Sequence, residues 1–229
     1  MAAAGSRVLV VEDDPDLGAG LVGLLAGAGY EVRWAKSAAE CRLLLDAAGS
    51  DLMLLDLGLP DGDGVDLCRE VRVRYQDCVV VVVTARTDEA DAVRALDSGA
   101  DDVVLKPFRP VELLARLAAH LRRRELTGPE ELRSGSLRLD LRARRAWLAD
   151  AELELRPKEL DLLAALVSAA GEAIRREQLM DDVWDTNWHQ STKTLDVHVA
   201  NLRRKLADAG DRWDRIVTLR GYGYRFDVG

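Results

Sequence analysis

The chain has 229 residues and a formal net charge of −8, and 48% of its residues are hydrophobic. This length allows one large domain or two ordinary ones, and the hydrophobic fraction excludes a disordered chain. No apolar run approaches the ~20 residues that span a bilayer, and residues 1–7 lack the apolar core of a signal peptide. We therefore expect a cytoplasmic protein that is not associated with membranes.

The cysteines and the charge distribution narrow the class of protein further. Cys41, Cys68 and Cys78 are scattered and odd in number, which predicts buried thiols in a reducing compartment. The three histidines are too far apart in sequence to suggest a metal cage. Residues 1–124 carry a net charge of −6, whereas residues 191–229 carry +3. An acidic front and a basic tail indicate two parts with different tasks.

The first 124 residues alternate short apolar runs with helical patterns. Val79 to Val83 are five consecutive valines, and such runs are typical of strands buried on both faces of a parallel sheet. Five strands that alternate with five helices predict a doubly wound α/β domain with its site at the carboxyl ends of the strands. The predicted strands are 8–11, 31–35, 52–55, 79–83 and 103–105, and the predicted helices are 15–28, 37–48, 64–73, 88–98 and 110–124.

The remaining residues predict a linker and a second domain. Residues 125–135 contain Gly128-Pro129 and several charges, which is typical of a linker. Residues 136–229 then predict an antiparallel sheet, three helices and a terminal hairpin with a glycine-rich turn, the order of a winged helix-turn-helix. The predicted strands are 136–141, 146–148 and 153–155, the helices are 157–170, 176–184 and 192–209, and the hairpin is 216–226.

Reactive side chains follow four of the strands predicted for the first domain. Glu12 and Asp13 follow the first strand, Asp56 the third, Thr84 the fourth and Lys106 the fifth. These strand ends meet at one edge of a parallel sheet, and clustered carboxylates there favour a hard cation such as Mg²⁺. A carboxylate at that edge can attack a phosphoryl group, while a lysine and a hydroxyl stabilise the phosphoryl oxygens. The pattern therefore predicts a phosphorylation site.

The segments VLVVEDD, LLDLGLPDGDG, VVVTA and LKPF, spread over residues 6–124, resemble the receiver domain of response regulators. The resemblance implies that Asp56 accepts phosphate from the phosphohistidine of a sensor histidine kinase. It also implies that Mg²⁺ is bound by Asp13, by Asp56 and by the carbonyl of Gly58, with Glu12 acting through water. Such a chain is no enzyme beyond assisting its own phosphorylation and dephosphorylation, in which Thr84 and Lys106 contact the phosphoryl group.

Two positions depart from the receiver pattern. Val103 occupies the place of an aromatic residue that usually swings inward on activation, which predicts a weaker or different switch. Gly58 replaces a residue that is commonly larger, so the acyl phosphate is expected to be more open to water. The Lys106–Pro107 bond is often cis in this family.

The tail carries a second resemblance. Residues 192–206 are amphipathic, with Leu195, Val199, Leu202 and Leu206 on one face. The motifs LRPKELDLLAAL, REQLMDDVW, TLDVHVANLRRKL and TLRGYGYRF resemble the OmpR/PhoB-type winged-helix domain over residues 136–227. This resemblance implies a recognition helix at 192–206 in the major groove of promoter DNA, and a wing whose Arg220 reaches the minor groove or phosphates.

The polar side of the recognition helix supplies the predicted DNA contacts. We expect Thr194 and His198 to touch base edges or methyl groups and Asn201 to pair with adenine. Positions 200 and 201 are often basic in this family but are Ala and Asn here, which predicts weaker phosphate attraction. The predicted phosphate contacts are Lys193, Arg203 and Arg204.

Family members of this type pair through the fourth helix, fifth strand and fifth helix of the receiver when they are phosphorylated. Such a homodimer would bind direct-repeat half-sites about one helical turn apart, and RNA polymerase is a further expected partner. Ala92 stands where a basic partner for Glu112 is common, which removes one ion pair. The predicted intermolecular pairs join Asp97, Asp101 and Asp102 to Arg116, Arg122 and Arg123.

Three other interpretations stay open. Val103 and the reduced set of ion pairs favour a regulator that dimerises and binds DNA without phosphorylation. A phosphatase with an aspartyl-phosphate intermediate would need a second Asp two residues after Asp56, where this chain has Gly58. A scaffold without DNA binding would leave the complete recognition helix and wing unexplained.

Overall fold

The computed structural model describes residues 5–85, 89–121, 131–184 and 193–228, without the side chains of Glu89, Lys193 and Trp213. The chain divides into two compact units, residues 1–122 and residues 123–229. Across the described ranges, no helix has the length and apolar character needed to cross a membrane.

The first unit is a five-stranded parallel sheet with helices between the strands. The strand order β2-β1-β3-β4-β5 confirms the predicted doubly wound fold, and the order reverses between β1 and β3. The strands are β1 Arg7–Val11, β2 Glu31–Ala35, β3 Leu52–Leu55, β4 Val79–Thr84 and β5 Asp102–Leu105. The helices are α1 Pro15–Gly27, α2 Ala38–Ala48, α3 Gly64–Arg74, α4 Glu89–Ser98 and α5 Pro110–Leu121.

Burial explains why the apolar runs form the central strands. Every residue of β3 and β4 is buried, because helices cover both faces of the sheet. The cysteines Cys41, Cys68 and Cys78 are free and buried, as predicted. Asp14 caps α1 by accepting hydrogen bonds of 2.9 Å from the backbone N–H groups of Asp16 and Leu17. The loop after β1 is therefore fixed at its helical end.

The second unit packs two antiparallel sheets and three helices around one core, which confirms the predicted α+β winged-helix class. The four-stranded sheet contains β6 Glu131–Ser134, β7 Leu137–Asp140, β8 Arg145–Leu148 and β9 Ala151–Leu153. The helices are α6 Pro157–Ser168, α7 Arg176–Trp184 and α8 Lys193–Asp208. The three-stranded sheet, in the order β10-β12-β11, contains β10 Ala173–Arg175, β11 Ile216–Leu219 and β12 Gly223–Phe226.

The structure corrects the C-terminal part of the predicted linker, residues 131–135, while residues 125–130 of that prediction fall outside the described residues. Strand β6 pairs with β7 from Glu131 onward, so these residues belong to the sheet of the second unit. The buried guanidinium of Arg215 donates to the Ser134 carbonyl at 2.8 Å and pairs with Asp211 at 2.9 Å, which fixes β6 next to the terminal hairpin. The strand predicted at 153–155 lies at 151–153, and β10 was not predicted.

Candidate functional site

The carboxyl edge of the parallel sheet brings the predicted reactive residues together. Glu12 follows β1, Asp56 follows β3, Thr84 ends β4 and Lys106 follows β5. Lys106 Nζ lies 2.8 Å from Glu12 Oε2 and 2.8 Å from Asp56 Oδ2. A single ammonium group therefore bridges two carboxylates that come from neighbouring strands.

Burial and the hydrogen bonds between them shift the pKa values of Glu12 and Lys106. Burial raises the pKa of Glu12, the hydrogen bond from Lys106 lowers it, and repulsion by Asp56 raises it, so that the net pKa is above the ordinary value. Burial lowers the pKa of Lys106, but its hydrogen bonds to Asp56 and Glu12 more than offset this, so the net pKa is raised. Lys106 is therefore a cation at neutral pH.

The acidic side chains fit a hard divalent cation. Glu12, Asp13 and Asp56 each offer one carboxylate oxygen, and these three atoms all lie within 4.8 Å of one another. Oxygen ligands at this spacing suit Mg²⁺. Gly58 is exposed beside them, and its backbone N–H donates to Asp56 Oδ1 at 3.2 Å.

Residues around the pocket were predicted with mixed success. The Lys106–Pro107 peptide bond is cis, as the resemblance implied. Val103 is buried in β5, opposite Val82 of β4. Sequence reasoning missed Trp34, whose indole Nε1 donates to the Glu12 carbonyl at 2.8 Å. No pattern marks Trp34, since one aromatic residue in a strand is usually a core residue.

The structure places three residues of the expected intermolecular ion pairs, Asp101, Asp102 and Arg116, in contacts within the chain. Asp101 has 0% exposure and accepts hydrogen bonds from Arg72 Nη2 at 2.6 Å and from the Val80 backbone N–H at 2.9 Å. Asp102 is also buried and lies 3.4 Å from Arg116 Nη1. The prediction that Asp101, Asp102 and Arg116 face a partner molecule is therefore wrong for this structure, because the chain uses these charges internally.

Two side chains of α5, Arg116 and His120, contact carboxylates within the chain. Arg116 lies 2.9 Å from Glu112, and His120 Nε2 lies 3.3 Å from Asp102. Of the other predicted interface residues, Asp97 is exposed on α4, while Arg122 and Arg123 fall outside the described residues. Among the predicted interface residues that the structure describes, Asp97 is therefore the one that lies at the surface.

Helix α8 buries more of its surface than predicted. Leu195, Val199, Leu202 and Leu206 are buried, as expected. Thr194, His198 and Asn201 are also buried, with exposures of 5%, 0% and 3%. The prediction that these three lie on the outer, DNA-facing side is therefore wrong.

Tertiary packing explains this second buried stripe. The His198 ring packs against the Trp184 ring of α7, with centroids 5.2 Å apart. Thr194, His198 and Asn201 follow one another at spacings of 4 and 3, directly beside the apolar stripe. None of them is a Lys, Arg, Asp or Glu, the types that are rarely buried, and this was the sequence signal for a wider buried face.

Of the basic side chains predicted to contact DNA, Arg203 is bonded within the chain, whereas Arg204 and Arg220 are exposed. Arg203 donates to the Ile216 carbonyl at 2.9 Å and to Thr218 Oγ1 at 2.7 Å, so it fastens α8 to β11. Arg204 is exposed on α8, where its Nη2 donates to Asn201 Oδ1 at 3.0 Å, and Arg220 is exposed at the turn of the hairpin. The side chain of Lys193 falls outside the described residues. Ala200, which lies one helical turn before Arg204, is also exposed.

Comparison with known proteins agrees with this architecture. The family described as response regulator receiver domain matches residues 8–118, and the family described as transcriptional regulatory protein, C terminal, matches residues 150–226. The transcriptional regulatory protein BasR of Escherichia coli is 40% identical over 218 residues, which is 95% of this chain and 96% of BasR. The DNA-binding response regulator MtrA of Mycolicibacterium smegmatis is 37% identical over 219 residues, 96% of each chain.

Solved structures share the fold over both units. A mutant of RitR superposes with a TM-score of 0.76 at 26% identity, covering 98% of this chain and 100% of RitR. The response regulator DrrB of Thermotoga maritima, described as an OmpR/PhoB homolog, has a TM-score of 0.51 at 27% identity, covering 97% and 99%.

The parallel sheet with its acidic pocket and the α+β fold of the second unit define a response regulator with a receiver domain and a DNA-binding domain. A protein of this class acts in transcription regulation. The chain belongs to the OmpR/PhoB family of two-component response regulators. Its relatives are transcription regulators and not classical enzymes. Regulators of this kind work with sensor kinases and bind DNA, and receivers generally bind Mg²⁺ at such an acidic pocket.

Proposed function

We propose that a sensor histidine kinase phosphorylates Asp56 in the presence of Mg²⁺, and that phosphorylation drives dimerisation and promoter binding. The observation that carries this proposal is the Lys106 ammonium, 2.8 Å from both Glu12 and Asp56 at the carboxyl edge of the sheet. A cation held against the accepting carboxylate stabilises the charge that develops during phosphoryl transfer.

The chemistry follows from these side chains. An Asp56 carboxylate oxygen attacks the phosphorus of the donor phosphohistidine, the phosphorus–nitrogen bond breaks, and an acyl phosphate remains on Asp56. Lys106 then pairs with the added negative charge, and the buried hydroxyl of Thr84 is the hydrogen-bond donor on the next strand. Mg²⁺ would be held by Asp13, Asp56 and the carbonyl of Gly58, with Glu12 acting through water, and it would neutralise phosphoryl charge.

Gly58→Met is expected to prolong the lifetime of the acyl phosphate several-fold. A Cβ at position 58 would lie 3.9 Å from Asp56 Oδ1, in ordinary contact, so the backbone accepts a side chain there, and a long one is expected to shield the phosphate from water. Loss of ³²P from the purified phosphoprotein measures this lifetime. Gly62→Met is the matched control, because the same loop has open space there. Equal lifetimes of the wild type and Gly58→Met would contradict the prediction.

For DNA binding we propose that α8 enters the major groove and that the β11–β12 hairpin contacts the adjacent backbone. The exposed guanidinium groups of Arg204 and Arg220 support this assignment. Arg203 acts indirectly, since its donors hold the hairpin against α8. The burial of Thr194, His198 and Asn201 supports a structural role for these three side chains.

Arg204→Ala is expected to weaken promoter binding to a similar extent on all sequences and to reduce the salt slope of log K by about 1, the effect of losing one phosphate contact. Fluorescence anisotropy at several salt concentrations measures both quantities. Arg133→Ala, which removes an exposed arginine paired with Glu131 on β6, is the control for a lost charge and should leave the slope unchanged. An unchanged slope in Arg204→Ala would remove Arg204 from the interface.

We further propose that phosphorylated receivers pair through α4, β5 and α5, which would place two DNA-binding domains on direct-repeat half-sites. Asp97 is exposed on α4 and is the described candidate for an intermolecular ion pair. RNA polymerase is the proposed partner of the DNA-bound dimer. Arg122 and Arg123 stay proposed interface residues by sequence.

A second candidate function is dimerisation and DNA binding without phosphorylation. Val103 is a buried aliphatic side chain with 7% exposure, so the receiver lacks the aromatic group that would move on activation. Asp101, Asp102 and Arg116 are also engaged in pairs within the chain. Both observations favour a receiver whose surface changes little with phosphate.

A further inference from the structure

We propose that Trp34 is a positioning residue that holds the loop between β1 and α1 in the geometry required to bind Mg²⁺. This inference rests on the proposed phosphorylation function, since it concerns the same acidic pocket. The loop carries Glu12 and Asp13, two of the three carboxylates that converge there. Trp34 lies on the neighbouring strand β2 and contributes no carboxylate of its own.

The backbone of Glu12 is held on both sides by β2. Its N–H donates to the Ala35 carbonyl at 3.0 Å, continuing the strand pairing of β1 and β2. Its carbonyl accepts from Trp34 Nε1 at 2.8 Å, a hydrogen bond from a side chain of β2. The indole therefore adds a hydrogen bond between β2 and the loop after β1, beyond the last backbone pair of the two strands.

The same ring is seated against the first helix. A Cβ at Gly18 of α1 would lie 2.2 Å from Trp34 Cζ2 and 2.8 Å from Nε1, so the ring occupies the place of a side chain at that position. Lys36 Nζ lies 4.7 Å from the ring centroid. Trp34 thus contacts Glu12 at the start of the loop and Gly18 in the helix that follows the loop.

This arrangement counteracts electrostatic repulsion. Three carboxylates brought within 4.8 Å repel one another, and a loose loop would relieve the repulsion by moving Glu12 and Asp13 away from Asp56. A hydrogen bond to the backbone that carries metal ligands limits this movement. Such outer contacts typically change metal affinity by about 10-fold or more when they are removed.

The test is the Mg²⁺ dissociation constant of the full chain, obtained from the shift of the thermal unfolding midpoint with MgCl₂ concentration. Trp34→Phe keeps most of the ring but removes the N–H, and we expect about 10-fold weaker Mg²⁺ binding. Gly18→Ala displaces the ring and should weaken binding in the same direction. Gly23→Ala is its matched control, because it lies on the same helix with open space around it. Lys36→Met controls for the cation above the ring, and both controls should bind Mg²⁺ as the wild type does.

The outcomes separate this inference from the proposed function. If Trp34 has only a structural role, Trp34→Phe and Gly18→Ala will unfold at a lower temperature without Mg²⁺ but will bind Mg²⁺ with the wild-type dissociation constant. That result would overturn this inference and leave the proposed function standing. If the wild type binds no Mg²⁺, the proposed metal site fails and the inference with it. If Trp34→Phe does not fold, Gly18→Ala decides by the same comparison with Gly23→Ala.

Discussion

The Asp56→Asn variant is expected to stay monomeric and to bind promoter DNA weakly in Mg²⁺ and a small phosphodonor, where the wild type dimerises and binds tightly. Asparagine keeps the size of the side chain but cannot form the acyl phosphate. Coupling two DNA-binding domains can raise apparent affinity by about 10²–10⁴-fold, so the difference between the two proteins should be large. Light scattering and anisotropy on a direct-repeat promoter fragment measure the two effects.

Asp63→Asn is the matched control for this experiment. Asp63 lies on the same loop and accepts from the Val65 backbone N–H as the N-cap of α3, a role that asparagine fills equally well. This control should respond to the phosphodonor as the wild type does. If the wild type and Asp56→Asn both dimerise and bind DNA equally tightly with and without donor, the result would instead favour the phosphorylation-independent regulator. Val103 would then be the first position to substitute by an aromatic residue.

The second large effect concerns stability. Arg72→Met should lower the free energy of unfolding of the first unit by about 3–5 kcal/mol, because it leaves the fully buried carboxylate of Asp101 without its cation. Hydrogen exchange at the buried backbone amides of β3 and β4 measures the unfolding free energy of this unit separately from the second unit.

Arg69→Met provides the comparison on the same helix. Arg69 pairs with Asp66 at 2.7 Å, but both side chains are mostly exposed, and such a pair is worth at most about 1 kcal/mol. A loss in Arg72→Met no larger than that in Arg69→Met would mean that the buried pair contributes little. The double variant Arg72→Met/Asp101→Asn should recover part of the loss, because it removes the buried charge.

The sequence allowed the parallel sheet to be predicted because its signal is local. Five consecutive valines bury both faces of a strand whatever their neighbours are, and Asp56, Thr84 and Lys106 follow directly from where strands end. Strand β10 has three residues, Ala173–Arg175, too few for a periodic pattern, and it forms only because β12 pairs with it. A local sequence pattern does not predict a strand such as β10, whose structure depends on its pairing partner.

The errors on charged and polar residues have the same origin. Asp101 and Arg72 are 29 residues apart, and only the packing of α3 against the start of β5 brings them together. His198 is buried because Trp184 of α7 lies against it, which a helical wheel of α8 alone does not contain. Helical spacing correctly identified the apolar stripe of α8 but set its width too narrow.

The burial of the three cysteines has a practical consequence for following this protein in solution. Burial raises the pKa values of the Cys41 and Cys78 thiols to about 12, and Cys68 is equally enclosed. Since the thiolate is the reactive form, these residues should resist maleimide reagents at neutral pH. A single cysteine introduced at the exposed Leu43 of α2 could therefore be labelled in the otherwise native chain. Energy transfer between two such labels would then report the pairing of two molecules in real time, with all native cysteines in place.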